Sequence, residues 1–119
     1  MPSWSSPRRS PQSYGRFAEG LAAWRLRLAG YRVVGRNVRV AGREIDVLAR
    51  RGSLLVICEV KARRSRAFGA PIEAVGLDKQ RRLRRAAEIL VARDPTVETV
   101  RFDVMAVEGL RVRHLRAAF

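Results

Sequence analysis

The sequence predicts an α/β layer sandwich around a mixed sheet, and three observations carry that expectation. Helical periodicity occurs in two separate segments, 14–29 and 78–93. Alternating or continuous apolar runs fill the chain between and after them, giving the order helix, three strands, helix, two strands. A length of 119 residues with 47% apolar content suits one domain around one core.

Residues 1–13 hold Ser, Pro, Gln and Arg and read as a flexible basic tail, leaving 14–119 as a single domain. In the first helix Phe17, Leu21, Trp24 and Leu28 recur at helical spacing and form the expected core face. Ala18, Ala22 and Ala23 are good helix formers, and Gly30 is placed to end the helix. Residues 31–40 alternate as a strand interrupted at Gly35-Arg36-Asn37, and Ala41-Gly42-Arg43 turns the chain. Residues 44–49 alternate again, and Arg51-Gly52 reads as a hairpin turn. Leu54 to Cys58 is a continuous apolar run, the signature of a strand buried on both faces, and it continues into Glu59-Val60-Lys61. A basic loop follows over 63–70, with a helical turn expected over 71–75. Asp78 is the expected N-cap of a helix ending near Arg93, with Leu83, Ala86, Ala87 and Leu90 on its core side. Asp94-Pro95 stops it, and strands follow over 99–107 and 111–115.

Charge narrows the function. Twenty-five Lys and Arg stand against 11 Asp and Glu, a formal net charge of +14. Such an excess predicts attraction to a polyanion, of which DNA and RNA are the commonest. A membrane is not the expected partner, because no segment reaches the roughly 18 apolar residues a span needs. The first residues carry no apolar run after Arg8 and Arg9, so they do not read as a signal peptide. With a single cysteine, Cys58, the expected compartment is the cytoplasm. Only two of the basic residues are lysine, Lys61 and Lys79. A GC-rich genome explains the arginine bias, and a lysine retained against it hints at a place where chemistry wants a compact ammonium.

One constellation bears chemistry. Glu59 and Lys61 are two apart on a strand and share a face, and they directly continue an apolar central strand. Charges placed there are costly unless paired or bound to a metal. A two-residue turn at Arg51-Gly52 pairs Arg50 with Ser53 and Glu44 with Glu59. Asp46 then lies diagonal to Glu59 on one face, ~7–8 Å away. Two carboxylates with open positions suit Mg²⁺, which polarises a phosphate and activates a water, while Lys61 stabilises developing charge.

The stretches Gly-Arg-Glu-Ile-Asp (42–46), Glu-Val-Lys (59–61), Asp78-Lys79 and Arg101-Phe102-Asp103-Val104 resemble the YraN family of bacterial proteins, over nearly the whole chain from Tyr14 to Phe119. That family in turn resembles the PD-(D/E)XK, or restriction-endonuclease-like, superfamily and, within it, archaeal Holliday-junction resolvases. The resemblance implies a three-layer sandwich with a central mixed β-sheet flanked by helices. It implies that Asp46, Glu59 and Lys61 match metal and catalytic positions, that Val60 joins Asp46 and Glu59 in the metal set, and that Glu19 matches an additional acidic position. Mg²⁺ or Mn²⁺ is the implied cofactor. The chain departs from the pattern at Arg43, where the family has Gly, and at Ile45, where the superfamily has Pro before the Asp. Resolvases act as dimers, so a homodimer is the analogous expectation.

The remaining polar residues are weighed by type. Glu44 is a spare ligand or, with better odds, the partner of a nearby Arg, and Asp103 is expected to pair with Arg101. Lys79 and Gln80 open a helix, where they meet a phosphate or simply face solvent. Arg81, Arg82 and Arg85 form a phosphate-tracking face, and Arg63, Arg64 and Arg66 follow the acids and hold a substrate strand. His114 and Cys58 are expected to be structural. The reading is a metal-dependent endonuclease hydrolysing phosphodiester bonds in DNA, with branched or structured DNA as a candidate substrate. Its alternatives are a non-catalytic nucleic-acid-binding module that retains the nuclease fold and a basic RNA-associated protein.

Overall fold

The computed structural model describes the backbone of residues 10–63 and 75–119, with side chains for 15–62 and 75–119. Helix α1 spans Ser10–Leu28, and three strands follow: β1 (Arg32–Val40), β2 (Arg43–Arg51) and β3 (Leu54–Arg63). Helix α2 spans Leu77–Arg93 and precedes β4 (Thr99–Glu108) and β5 (Arg111–Leu115). All five strands form one sheet in sequence order. Neighbours are antiparallel except β3 and β4, which run parallel. Parallel neighbours need a long crossover, and α2 lies on it.

The sheet is packed on both faces, as the apolar run of β3 predicts. Leu55 and Ile57 join Leu83, Ala86 and Ala87 of α2 in one core cluster. Val56 and Cys58, alternating with them, join Ala22, Ala23 and Leu26 of α1 in the other. The result is a five-stranded mixed sheet between two helices. Among the described residues no helix is long and apolar enough to cross a membrane.

Three local expectations are corrected. First, α1 begins by Ser10, so residues 10–13 are helical rather than part of a tail; residues 1–9 lie outside the described chain. Its core face is also a different one. Ala18, Ala22, Ala23 and Leu26 are buried, whereas Phe17, Trp24 and Leu28 are 49%, 58% and 67% exposed and Leu21 is only partly covered. The alanines let the helix lie close to a sheet surface already filled by Tyr31, Val56 and Met105. A bulky stripe on that side would hold the helix away.

Second, the β2–β3 hairpin turns at Gly52-Ser53, with Arg51 paired to Leu54, not at Arg51-Gly52. Gly52 has φ +60°, so it supplies the left-handed residue where the tight turn needs one. The pairing therefore differs by two positions from the expected register. Because strand faces alternate with period two, a shift of two leaves the parity of β3 unchanged, but on β2 Ile45 joins the α2-side cluster and Val47 the α1-side one instead of sharing a face. The interruption expected near Gly35 is a bulge: the β1–β2 register shifts between Val33 and Gly35.

Third, Asp78 does not cap α2. Gly76 holds the N-cap position without a side-chain hydrogen bond, and Asp78 sits in the first turn paired with Arg81 at 3.1 Å. The helical turn expected over 71–75 falls almost wholly outside the described residues.

Candidate acidic site at the β2–β3 fork

The β2–β3 ladder runs from Arg51↔Leu54 to Val47↔Cys58 and stops there. Asp46 and Glu59 are the next residues of the two strands beyond that last pair. At this point a side chain replaces the main-chain ladder. Asp46 Oδ2 accepts the Val60 N–H at 2.8 Å, so the strands part around a carboxylate. Glu59 is 4% exposed and lies on the α2 side of the sheet. There its Oε2 accepts a charged hydrogen bond from Lys79 Nζ in the first turn of α2.

The two acids crowd each other. Burial pushes the Asp46 carboxyl up to about 8, and the charge of Glu59 adds to the rise. The Val60 N–H and the Lys79 ammonium oppose that shift, while Glu19 of α1 reinforces it. Thus α1, β2, β3 and α2 each contribute a charged group to one electrostatic neighbourhood. Lys61 is partly buried on β3, two residues beyond Glu59 and on its face.

The donor set suits a hard divalent cation. Asp46 and Glu59 offer carboxylate oxygens without sulfur or imidazole, matching the oxygen preference of Mg²⁺ and leaving positions for water. Among the described residues no group of three His, Cys, Asp or Glu side chains meets at metal-holding distance. The Lys79 ammonium already stands as a cation against Glu59, which shows that the fork accommodates positive charge.

The other sequence-selected residues fall as follows. Gln80 turns inward and donates its Nε2 to the Val75 carbonyl at 2.8 Å, fastening the entry to α2. Arg81, Arg82 and Arg85 lie on the exposed side of α2, with Arg81 held by Asp78. Glu44 stands opposite Arg39 on the β1–β2 ladder. Arg63 ends β3, with no described side chain, and Arg64 and Arg66 lie outside the described residues. Sequence reasoning missed the Lys79–Glu59 contact, since it gave Lys79 only a phosphate or solvent to face. The scarcity of lysine was the available signal: both lysines of the chain belong to this region.

A second polar network lies on the α1 side. Asp103 is fully buried on β4 and accepts from Arg101 Nε at 2.8 Å and Arg101 Nη2 at 2.7 Å. It also meets His114 Nε2 at 2.7 Å and accepts the Ala117 N–H at 3.0 Å. Arg101 Nη2 further donates to the Tyr31 hydroxyl at 2.8 Å. Burial alone would raise the Asp103 carboxyl, yet these donors outweigh it and hold it below its ordinary value. The pairing of Asp103 with Arg101 and the structural place of His114 are both as expected from sequence. Cys58 is buried, and burial pushes its thiol well up, which makes it an inert core residue.

Fold and site together define an α/β protein with an acid–ammonium cluster where two central strands part. Its family follows from its relatives: the chain belongs to the uncharacterised protein family UPF0102, also known as YraN, whose model matches residues 18–107. That span contains Glu19, Asp46, Glu59, Lys61, Lys79 and Asp103. A UPF0102 protein of Symbiobacterium thermophilum is 45% identical over 111 residues, covering 88% of this chain and 94% of the relative. One from Acidothermus cellulolyticus is 40% identical, covering 91% and 94%. One from Streptomyces griseus is 50% identical over 95 residues, covering 78% and 80%.

Proposed function

We propose that this protein is a metal-dependent endonuclease that hydrolyses phosphodiester bonds in DNA, with branched or structured DNA as the candidate substrate. The observation that carries the reading is that Asp46 and Glu59 come close enough beyond the end of the β2–β3 ladder for the charge of one to act on the other, with Asp46 held on the Val60 N–H. Covering acids, as Glu59 is fully and Asp46 partly, is costly, and setting one beside the other raises that cost. Such a cost is tolerated where function requires it. The resemblance to restriction-endonuclease-like proteins supports the same reading, since it assigns these positions to metal and catalysis.

Asp46 and Glu59 would hold Mg²⁺ or Mn²⁺, with the main chain at Val60 beside them. A divalent cation at such a site supplies Lewis acidity toward a phosphate oxygen and lowers the pKa of a bound water. Lys61 presents an ammonium to the charge that develops on the phosphate oxygens. Glu19 acts on Asp46 from α1. The exposed Arg82 and Arg85 of α2 offer phosphate contacts that give affinity without sequence preference.

The test is cleavage of linear, nicked, flapped and four-way DNA in the presence of Mg²⁺ or Mn²⁺. Asp46→Ala and Glu59→Ala are expected to lower the rate by roughly a hundredfold or more, the scale of losing an electrostatic group in a reacting centre. Unchanged cleavage in both variants would refute the assignment. The second reading, a non-catalytic nucleic-acid-binding module, draws on the Lys79–Glu59 pair, which satisfies Glu59 without a metal. It predicts salt-sensitive DNA binding that survives Lys61→Ala, with no cleavage under either metal.

A further inference from the structure

Lys79 and Glu59 are unequal partners. The Glu59 side chain is 5% exposed, whereas that of Lys79 is 33% exposed. Glu59 lies on a central strand with its side chain covered. Lys79 reaches it on a flexible four-carbon stem from the first turn of α2, with solvent beside it. A buried carboxylate is costly unless a cation, hydrogen-bond donors or a proton compensates it, and for Glu59 the compensating group is the Lys79 ammonium. An ammonium of this kind can be exchanged, because a lysine returning to water recovers strong hydration. Arginine would suit an exchange less well, since its planar fork holds a carboxylate through two fixed bonds. The chain uses arginine at nearly every basic position, yet the residue that meets Glu59 is one of its two lysines.

We propose that Lys79 is a displaceable internal counter-ion: its ammonium holds the Glu59 carboxylate in the metal-free protein and leaves it when a divalent cation enters the fork. The inference rests on the metal-binding reading of Asp46 and Glu59. It adds that cation entry competes with a residue of the protein itself. Metal affinity is therefore set below what the two carboxylates would give alone. Loading also releases a positive charge at the start of α2, beside the exposed arginines of that helix. Cation entry and phosphate attraction at this end of α2 are thereby coupled through one side chain.

The experiment measures Mn²⁺ binding by calorimetry and by electron paramagnetic resonance, on the full chain at one fixed pH and low salt. Wild type is compared with Lys79→Met, Lys79→Gln and Lys79→Arg, each checked for its fold by circular dichroism. Both neutral variants are expected to bind Mn²⁺ roughly tenfold or more tightly than wild type, because a unit charge close to a divalent ion no longer opposes it. Lys79→Arg, which keeps a cation on Glu59, is expected to bind like wild type or more weakly. Equal or weaker binding in the neutral variants, with Mn²⁺ bound by wild type, overturns the counter-ion role and leaves the metal site standing. Absence of binding in wild type and all variants overturns the metal site, and the counter-ion role with it. Binding by the neutral variants alone supports the inference most strongly.

Discussion

Asp103→Ala is expected to destabilise the protein by about 3–5 kcal/mol, the scale of removing one partner from a buried ion pair. The substitution strands more than one group. Arg101 loses both hydrogen bonds to the carboxylate, and His114 and the Ala117 N–H lose their acceptor. These groups come from β4, β5 and the chain after β5, so the damage spreads across one end of the sheet. Domains of this size are stable by only about 5–15 kcal/mol, so the loss is a large fraction of the total. Thermal unfolding is expected to shift downward by roughly 10–20 °C. Asp103→Ala/Arg101→Met, which also removes the stranded guanidinium, is expected to recover part of that shift. The carboxyl is held below its ordinary value, so its contribution is present above about pH 4 and is lost as the pH falls through the depressed folded value. A single substitution with the stability of wild type would show that the network does not hold this end of the sheet together.

Asp46→Asn is expected to do the opposite. Burial, reinforced by the Glu59 charge, pushes the folded carboxyl up to about 8 from its ordinary 3.8, so the fold favours the protonated form. That favourable contribution is full below the ordinary value and is lost as the pH rises through about 8. An amide at this position never ionises, and its oxygen still accepts the Val60 N–H. The variant is therefore expected to outlast wild type increasingly from pH 5 upward, by an amount on the order of a few kcal/mol in alkaline buffer. Urea unfolding of both proteins across this range measures it. Parallel pH profiles would contradict the crowded-acid account. The same variant is expected to lose cleavage, so stability and function pull apart at one residue, as they do where a site carries unfavourable charge for a purpose.

Much of this architecture is legible in the sequence because the strands speak through period and run length. The continuous run Leu54 to Cys58 indicates a strand covered on both sides, and its residues do alternate between two helices. The last strand, Arg111–Leu115, also has the bounds its pattern predicts. Helix α1 was less legible. Two neighbouring stripes of that helix have helical spacing, and large side chains outweigh alanines in any reading by hydrophobicity. Only the sheet opposite decides between them, and it favours the small residues. The acidic fork was legible in its face but not in its register, since the turn position depends on which residue takes the left-handed conformation at Gly52. A shift of two positions leaves strand parity unchanged, and Asp46 and Glu59 remain electrostatic neighbours. The placement of Lys79 on Glu59 was not legible, because it depends on how α2 returns to the sheet, a tertiary relation that no local pattern encodes.

The central claim is that Asp46 and Glu59 together form a seat for a divalent cation. Anomalous diffraction from crystals soaked in Mn²⁺ tests it most directly. The account predicts a peak between the two carboxylates at the end of the β2–β3 ladder, absent from crystals of Asp46→Asn protein. No peak there in fully soaked wild-type crystals, or a peak that persists in the Asp46→Asn protein, would contradict it.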